Sequence, residues 1–137
     1  MVGYTIQVSA SSTNDSTQGN TQLCSFTPTQ LAPVGSVWIV NANINALISG
    51  TVNLQIFGCQ TSTTSTGWSA NNQGTPGIGM QMCSDTTFSG QRSQQSVSGI
   101  YVNTSASNYI LCGHLWYSNT GSASMTRQTY MTATRIA

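Results

Sequence analysis

From Trp38 to Ile48 every second residue is apolar: Trp38, Val40, Ala42, Ile44, Ala46 and Ile48. Asn41, Asn43 and Asn45 stand between them. An unbroken two-residue period of this length belongs to a strand with one face in a core, because a helix would scatter the same residues around its circumference. Ser49-Gly50 interrupts the pattern. Val52, Leu54 and Ile56 then resume the inward set, with Thr51, Asn53 and Gln55 between them. Glycine supplies the positive φ of a tight turn, so the stretch reads as a β-hairpin whose apolar face carries the core.

The rest of the chain repeats this grammar in shorter pieces. Tyr4 to Val8 is a candidate strand, and Ser9 to Gln22 reads as a polar loop, or an arm that orders on a neighbour. Leu23 to Phe26 is a candidate edge strand, and Pro28 and Pro33 bracket an irregular link. After Phe57 come a run of hydroxyl residues, Gly67-Trp68, and a turn-rich excursion through Asn71, Asn72, Gly74 and Pro76. Ile78, Met80 and Met82 alternate as a strand, and Ser84-Asp85-Thr86-Thr87 reads as a turn. Val97, Ile100 and Val102 mark a strand with a bulge expected at Gly99. Tyr109 to Tyr117 is apolar at nearly every position, which predicts cover on both faces, from a second sheet or another subunit. A last strand runs from about Ser124 to Ile136. Short strands separated by Gly, Asn and Ser turns, with no helical period, predict an all-β, single-domain antiparallel β-sandwich or jelly roll over residues 1–137. Residues 1–35 can include an arm that orders on assembly.

Charge narrows the function classes. Only 4% of the 137 residues are charged, against about 25% in an ordinary soluble domain. The set is Asp15, Asp85, Arg92, Arg127 and Arg135, with no Lys or Glu. Three dispersed arginines cannot build a nucleic-acid surface, where each phosphate neutralised needs its own cation. No run approaches the ~18 apolar residues of a membrane-spanning helix, and Met1-Val2-Gly3-Tyr4 lacks the basic and apolar regions of a secretory signal. Neither nucleic acid nor membrane is therefore an expected partner. The net charge of +1 favours association. A surface of hydroxyls and amides suits a protein held in a fixed assembly, where charges would have to be desolvated. Asn14-Asp15-Ser16 and Asn103-Thr104-Ser105 match the glycosylation pattern, and both read as chance in so Asn-, Ser- and Thr-rich a chain.

Candidate chemistry is sparse. Cys24, Cys59, Cys83 and Cys112 allow three disulfide connectivities, and sequence does not choose among them. With no C-x-x-C and one histidine, a closed zinc site is not expected, and buried free thiols acting as small hydrophobes are the favoured reading over a disulfide. His114 shares a strand face with Ile110, Cys112 and Trp116. A catalytic role would need a nucleophile and a carboxylate in reach, so a buried or interface histidine is expected. Asp15 and Asp85 could form a glycosidase pair, but their Ser/Thr surroundings favour turn capping. Trp68 is either a lid over the core or, with Asn71 and Asn72, a contact for a partner or a sugar ring. No catalytic, cofactor-binding or metal-binding residue is expected.

Tyr109-Ile110-Leu111 through Tyr117, then Gly121, then Thr132-Ala133-Thr134-Arg135-Ile136-Ala137, resembles the end of bacteriophage fibre-tip and virion-surface domains, which are similar to the tumour-necrosis-factor and complement jelly roll. Gly35-Ser36-Val37-Trp38-Ile39-Val40 is close to an upstream strand typical of them. The resemblance implies a homotrimer with a structural or attachment role on the virion, and the terminal strand near the threefold axis. Fibre tips usually end a longer chain, whereas this sequence starts one domain at Met1. That shifts the expectation toward a head-decoration or cement protein bound to a major capsid or tail protein. The alternative is a receptor- or carbohydrate-binding tip module of a tail fibre that engages a host surface glycan. The expected subunit interface holds Tyr109, Leu111, Trp116, Tyr117 and Arg135.

Overall fold

A computed structural model of the chain describes residues 2–15, 19–69, 81–89, 92–118 and 123–137; for 11–15, 54–56, 81–89, 92 and 93 the backbone alone is described. Eight strands run in order: β1 (Thr5–Asp15), β2 (Gly19–Phe26), β3 (Val37–Ser49), β4 (Thr51–Ser62), β5 (Gln81–Ser89), β6 (Arg92–Val102), β7 (Tyr109–Tyr117) and β8 (Ser124–Arg135). They form two four-stranded antiparallel sheets, ordered β1-β8-β3-β6 and β2-β7-β4-β5. The fold is an all-β sandwich, with no helix among the described residues.

The core lies between the sheets. Trp38, Val40, Ala42, Ile44, Ala46 and Ile48 are all buried, as the period of β3 requires, and Met125, Met131 and Ala133 of β8 join them. From the other sheet come Phe26, Phe57, Ile110 and Trp116. Each fully buried Val, Leu, Ile, Phe or Met contributes roughly 1.5–3 kcal/mol.

The turn at Gly50, with φ of +82°, does not close a hairpin. β3 pairs with β6 and β8, whereas β4 pairs with β5 and β7. Gly50 carries the chain from one sheet to the other. Alternation fixes which face of each strand is apolar. It does not fix whether two such faces lie side by side or meet across the core.

Several local expectations are corrected. Ser9 to Gln22 is not an arm along its described length: β1 continues to Asp15 and β2 begins at Gly19. Ser84-Asp85-Thr86-Thr87 lies within β5 rather than in a turn, and Asp15 ends β1. Gly99 makes no bulge, since β3 and β6 stay in continuous register from Val37↔Val102 to Leu47↔Arg92. The expected Ile78 and Met80 strand positions lie outside the described residues.

A buried polar cluster ties the irregular link 27–36 to the sandwich. Asn103 Nδ2 donates to the carbonyls of Leu31 (3.0 Å) and Pro33 (3.2 Å) and Oδ1 accepts from the Tyr101 hydroxyl (2.9 Å). Trp38 Nε1 donates to Ser36 Oγ at 2.8 Å, and Ser36 Oγ donates to the Leu31 carbonyl at 3.0 Å. Asn103 is 2% exposed, so its amide is committed to structure and not offered for glycosylation. Asn103→Ala should cost about 1–3 kcal/mol, because Tyr101 loses an acceptor and the Pro33 carbonyl a donor. A denaturant midpoint within error of the wild type would contradict this.

Candidate functional site

The outer face of the sheet β1-β8-β3-β6 is laid out in rows across its four strands. Thr5, Thr134, Ile39 and Ile100 form one row, Gln7, Thr132, Asn41 and Ser98 the next, and Ser9, Tyr130, Asn43 and Ser96 a third. Gln128, Asn45 and Gln94 continue the grid. All these side chains are exposed or half-buried, and none is charged. Thr5 and Thr134 hydrogen-bond across the strands at 2.9 Å. At one end Ile39 (39% exposed), Ile100 (59%) and Val102 (49%) face solvent beside one another, and Leu47 (47%) stands exposed at the other end of β3.

The opposite sheet is closed differently. β7 has Ile110, Cys112 and Trp116 in the core, and its other face carries Tyr109, Leu111 and Leu115, over which Trp68 folds. The indole sits on Gly113, whose register partner on β4 is Gly58, so two residues without side chains leave room for the ring. Trp68 Nε1 donates to Asn20 Oδ1 at 2.7 Å, and the Trp68 backbone N–H donates to Gln22 Oε1 at 3.4 Å. Gln22 Nε2 in turn donates to the Ser65 carbonyl (2.7 Å) and Gln60 Nε2 to the Gly67 carbonyl (2.9 Å). Asn20 and Gln22 reach this outer side because β2 bulges between Gln22 and Cys24. The extra residue reverses the alternation, leaving Cys24 and Phe26 buried in the core.

The expected contact residues therefore divide. Leu111 and Trp116 are 0% exposed within a single chain, so they have no surface left for a second subunit. The doubly apolar β7 is explained by the core on one side and Trp68 on the other. Trp68 is 8% exposed and acts as a cap, with no open ring face for a sugar. Asn71 and Asn72 lie outside the described residues. Tyr109 is half-buried under the cap, and Tyr117 is 43% exposed at the strand end. Arg135 is half-buried, and its Nε donates to the Ala137 carbonyl at 3.0 Å. Arg127, which the sequence reading passed over, is 9% exposed on the inward side of β8. The alternation with Met125, Thr129 and Met131 signals that placement.

His114 is fully buried on the inner side of β7, opposite Thr21 and Phe57. Asp15 and Asp85 belong to β1 and β5, at opposite sides of the sandwich, so the fold does not bring their strands together. Cys24, Cys112 and Cys59 stand in register across β2, β7 and β4 as free buried thiols. The side chain of Cys83 lies outside the described residues. Cys59 donates to Met131 Sδ at 3.6 Å. The Cys24 thiol is raised far above its ordinary range by donating to Cys112, by burial and by the charge of that neighbour. Accepting from Cys24 works to lower Cys112, but donation to Cys59 and complete burial outweigh it, and Cys112 is raised too.

These shifts fix a pH dependence. Above the ordinary thiol value of 9.0 the unfolded chain releases protons that the folded one keeps. The stabilisation is complete below that pH and is lost above it, at up to about 1.4 kcal/mol per pH unit for each thiol. Tyr101, raised by burial against the smaller opposing effect of Asn108, adds the same sign at higher pH. Denaturant midpoints should thus fall above pH 9, and more shallowly in Cys24→Ala. Equal slopes in the two proteins would contradict the assignment.

The sequence matches no protein-family model and no curated protein.

Proposed function

We propose that the chain is a non-enzymatic structural protein of a virus particle. It serves as a head-decoration, cement or fibre protein that assembles with its own copies over a capsid or tail protein. The observation that carries this reading is the uncharged grid of hydroxyls and amides on the β1-β8-β3-β6 face. A permanent contact on such a face exchanges water for protein hydrogen bonds without desolvating ions. The nested strand pairing, β1 with β8, β2 with β7, β3 with β6 and β4 with β5, supports a jelly-roll winding. Threefold assembly, as the resemblance implies, would draw on Tyr117 and Arg135 and not on Leu111 or Trp116.

The test is mass spectrometry and imaging of purified particles. The protein should be present at high copy number on their surface. It should also stay bound when salt rises from ~0.05 to ~0.5 M, since screening has few charges to weaken. Abundant protein in infected cells with none on the particles would overturn the reading.

A further inference from the structure

We propose that β6 is a self-association edge, pairing antiparallel with β6 of a second copy to make one continuous eight-stranded sheet. A sandwich of two open sheets has four edges, and an open edge templates pairing unless something blunts it. Three of the four edges here are blunted by a change of register. β1 shifts between Ala10 and Thr13, β2 between Gln22 and Cys24, and β5 slips against Leu54 and Ile56 of β4. β6 has no shift along its 11 residues. It has no proline, and no charged residue after Arg92.

The direction of its free backbone groups follows from the ladder. Val37 exchanges bonds with the β8 end, donating to Ala137 and accepting from Ile136, while Asn103 donates to Ser36. Backbone groups alternate sides along an antiparallel pair. Gly99, Val97 and Gln95 therefore bond to β3, while the N–H and C=O groups of Gln94, Ser96, Ser98, Ile100 and Val102 point away from it. No described strand pairs with that side.

A second copy is the occupant that this edge fits. An antiparallel strand is its own complement under a two-fold axis. The arrangement sets the two Arg92 residues at opposite ends of the joint ladder, so no like charges meet. It also brings Ile100 and Val102, both largely exposed, beside residues of the partner's β6 on the same outer face. The inference stands apart from the viral reading, and either can fail alone.

Light scattering and sedimentation velocity at micromolar concentration test it with three proteins. The wild type should give the mass of two chains, or of an assembly built from such pairs. Ser98→Pro removes an outward N–H and leaves the β3 ladder bonds in place. Ile100→Lys replaces an apolar contact of the joint outer face with a charge from each copy. Each should weaken association by about tenfold or more with little change in melting temperature. If Ser98→Pro misfolds, Ile100→Lys decides. A single-chain mass for the wild type overturns the proposal. So does an assembly, three-chain or other, that neither substitution disturbs; a three-chain one would leave the threefold expectation intact.

Discussion

Gly113→Ala is expected to destabilise the protein by about 3 kcal/mol, the scale of losing a buried tryptophan's packing. A methyl group at Gly113 would lie against Cε2, Cδ2 and Nε1 of Trp68, at 2.6 Å from Nε1. Neither side can give way cheaply. Gly113 is in the middle of β7, flanked in register by β2 and β4 on either side, and the indole is tethered through Asn20 and Gln22. The ring must leave its seat, which uncovers Leu111 and releases the 63–69 segment. Trp68→Ala should cost a similar amount, and in that background Gly113→Ala should cost almost nothing. The two changes remove one interaction, so their effects should be far from additive. Denaturant titrations of the four proteins measure this coupling. A Gly113→Ala midpoint equivalent to within about 0.5 kcal/mol of the wild type, the usual size of a neutral surface change, would show that Trp68 does not pack as described.

Deleting Arg135 to Ala137 is expected to cost about 4 kcal/mol, from five backbone hydrogen bonds, the longest from Ala137 N–H to the Val37 carbonyl at 3.4 Å, at just under about 1 kcal/mol each. Gly3 N–H donates to the Arg135 carbonyl (2.7 Å) and Arg135 N–H to the Tyr4 carbonyl (2.8 Å). Ile136 N–H donates to the Val37 carbonyl (2.8 Å), and Val37 N–H to the Ala137 carbonyl (3.0 Å). The segment thus clamps β1 and β3 together at the end of a strand lying between them. Ile136 is 40% exposed, so the effect comes from the backbone more than from side-chain burial, contrary to what its apolar character suggests. Melting temperature should fall by about 10–20 °C for a chain of this size. A shift below about 1 °C, under 0.5 kcal/mol on the same scale, would show that the clamp is dispensable.

The contact surfaces were legible in the sequence only in part. The odd residues Asn41, Asn43 and Asn45 mark the solvent face of β3 directly. The grid they belong to needs β8, β1 and β6 alongside, and nothing local names those neighbours. Trp68 stood out as a tryptophan among turn residues, but whether it faced a partner or its own sheet depended on Gly113, 45 positions later in the numbering. The sequence shows two glycines, at 58 and 113, in separate strands; only the register makes them adjacent.

By itself the sequence determined the all-β character and the inward face of β3, which follow from a period of two read along one strand. It also determined the double cover of β7, because a strand that is apolar at nearly every position has no face left for water. The tertiary structure decided which strands are neighbours. Gly50 became a crossing between sheets in place of a hairpin. The bulge after Gln22 reversed the alternation of β2, and the one between Leu54 and Ile56 reversed that of β4, so that Val52 and Phe57 are both buried. Side-chain period is a local property fixed by backbone geometry. Pairing and bulges are settled by contacts between residues far apart in the chain, where several partners offer equivalent apolar faces and packing between the two sheets selects one.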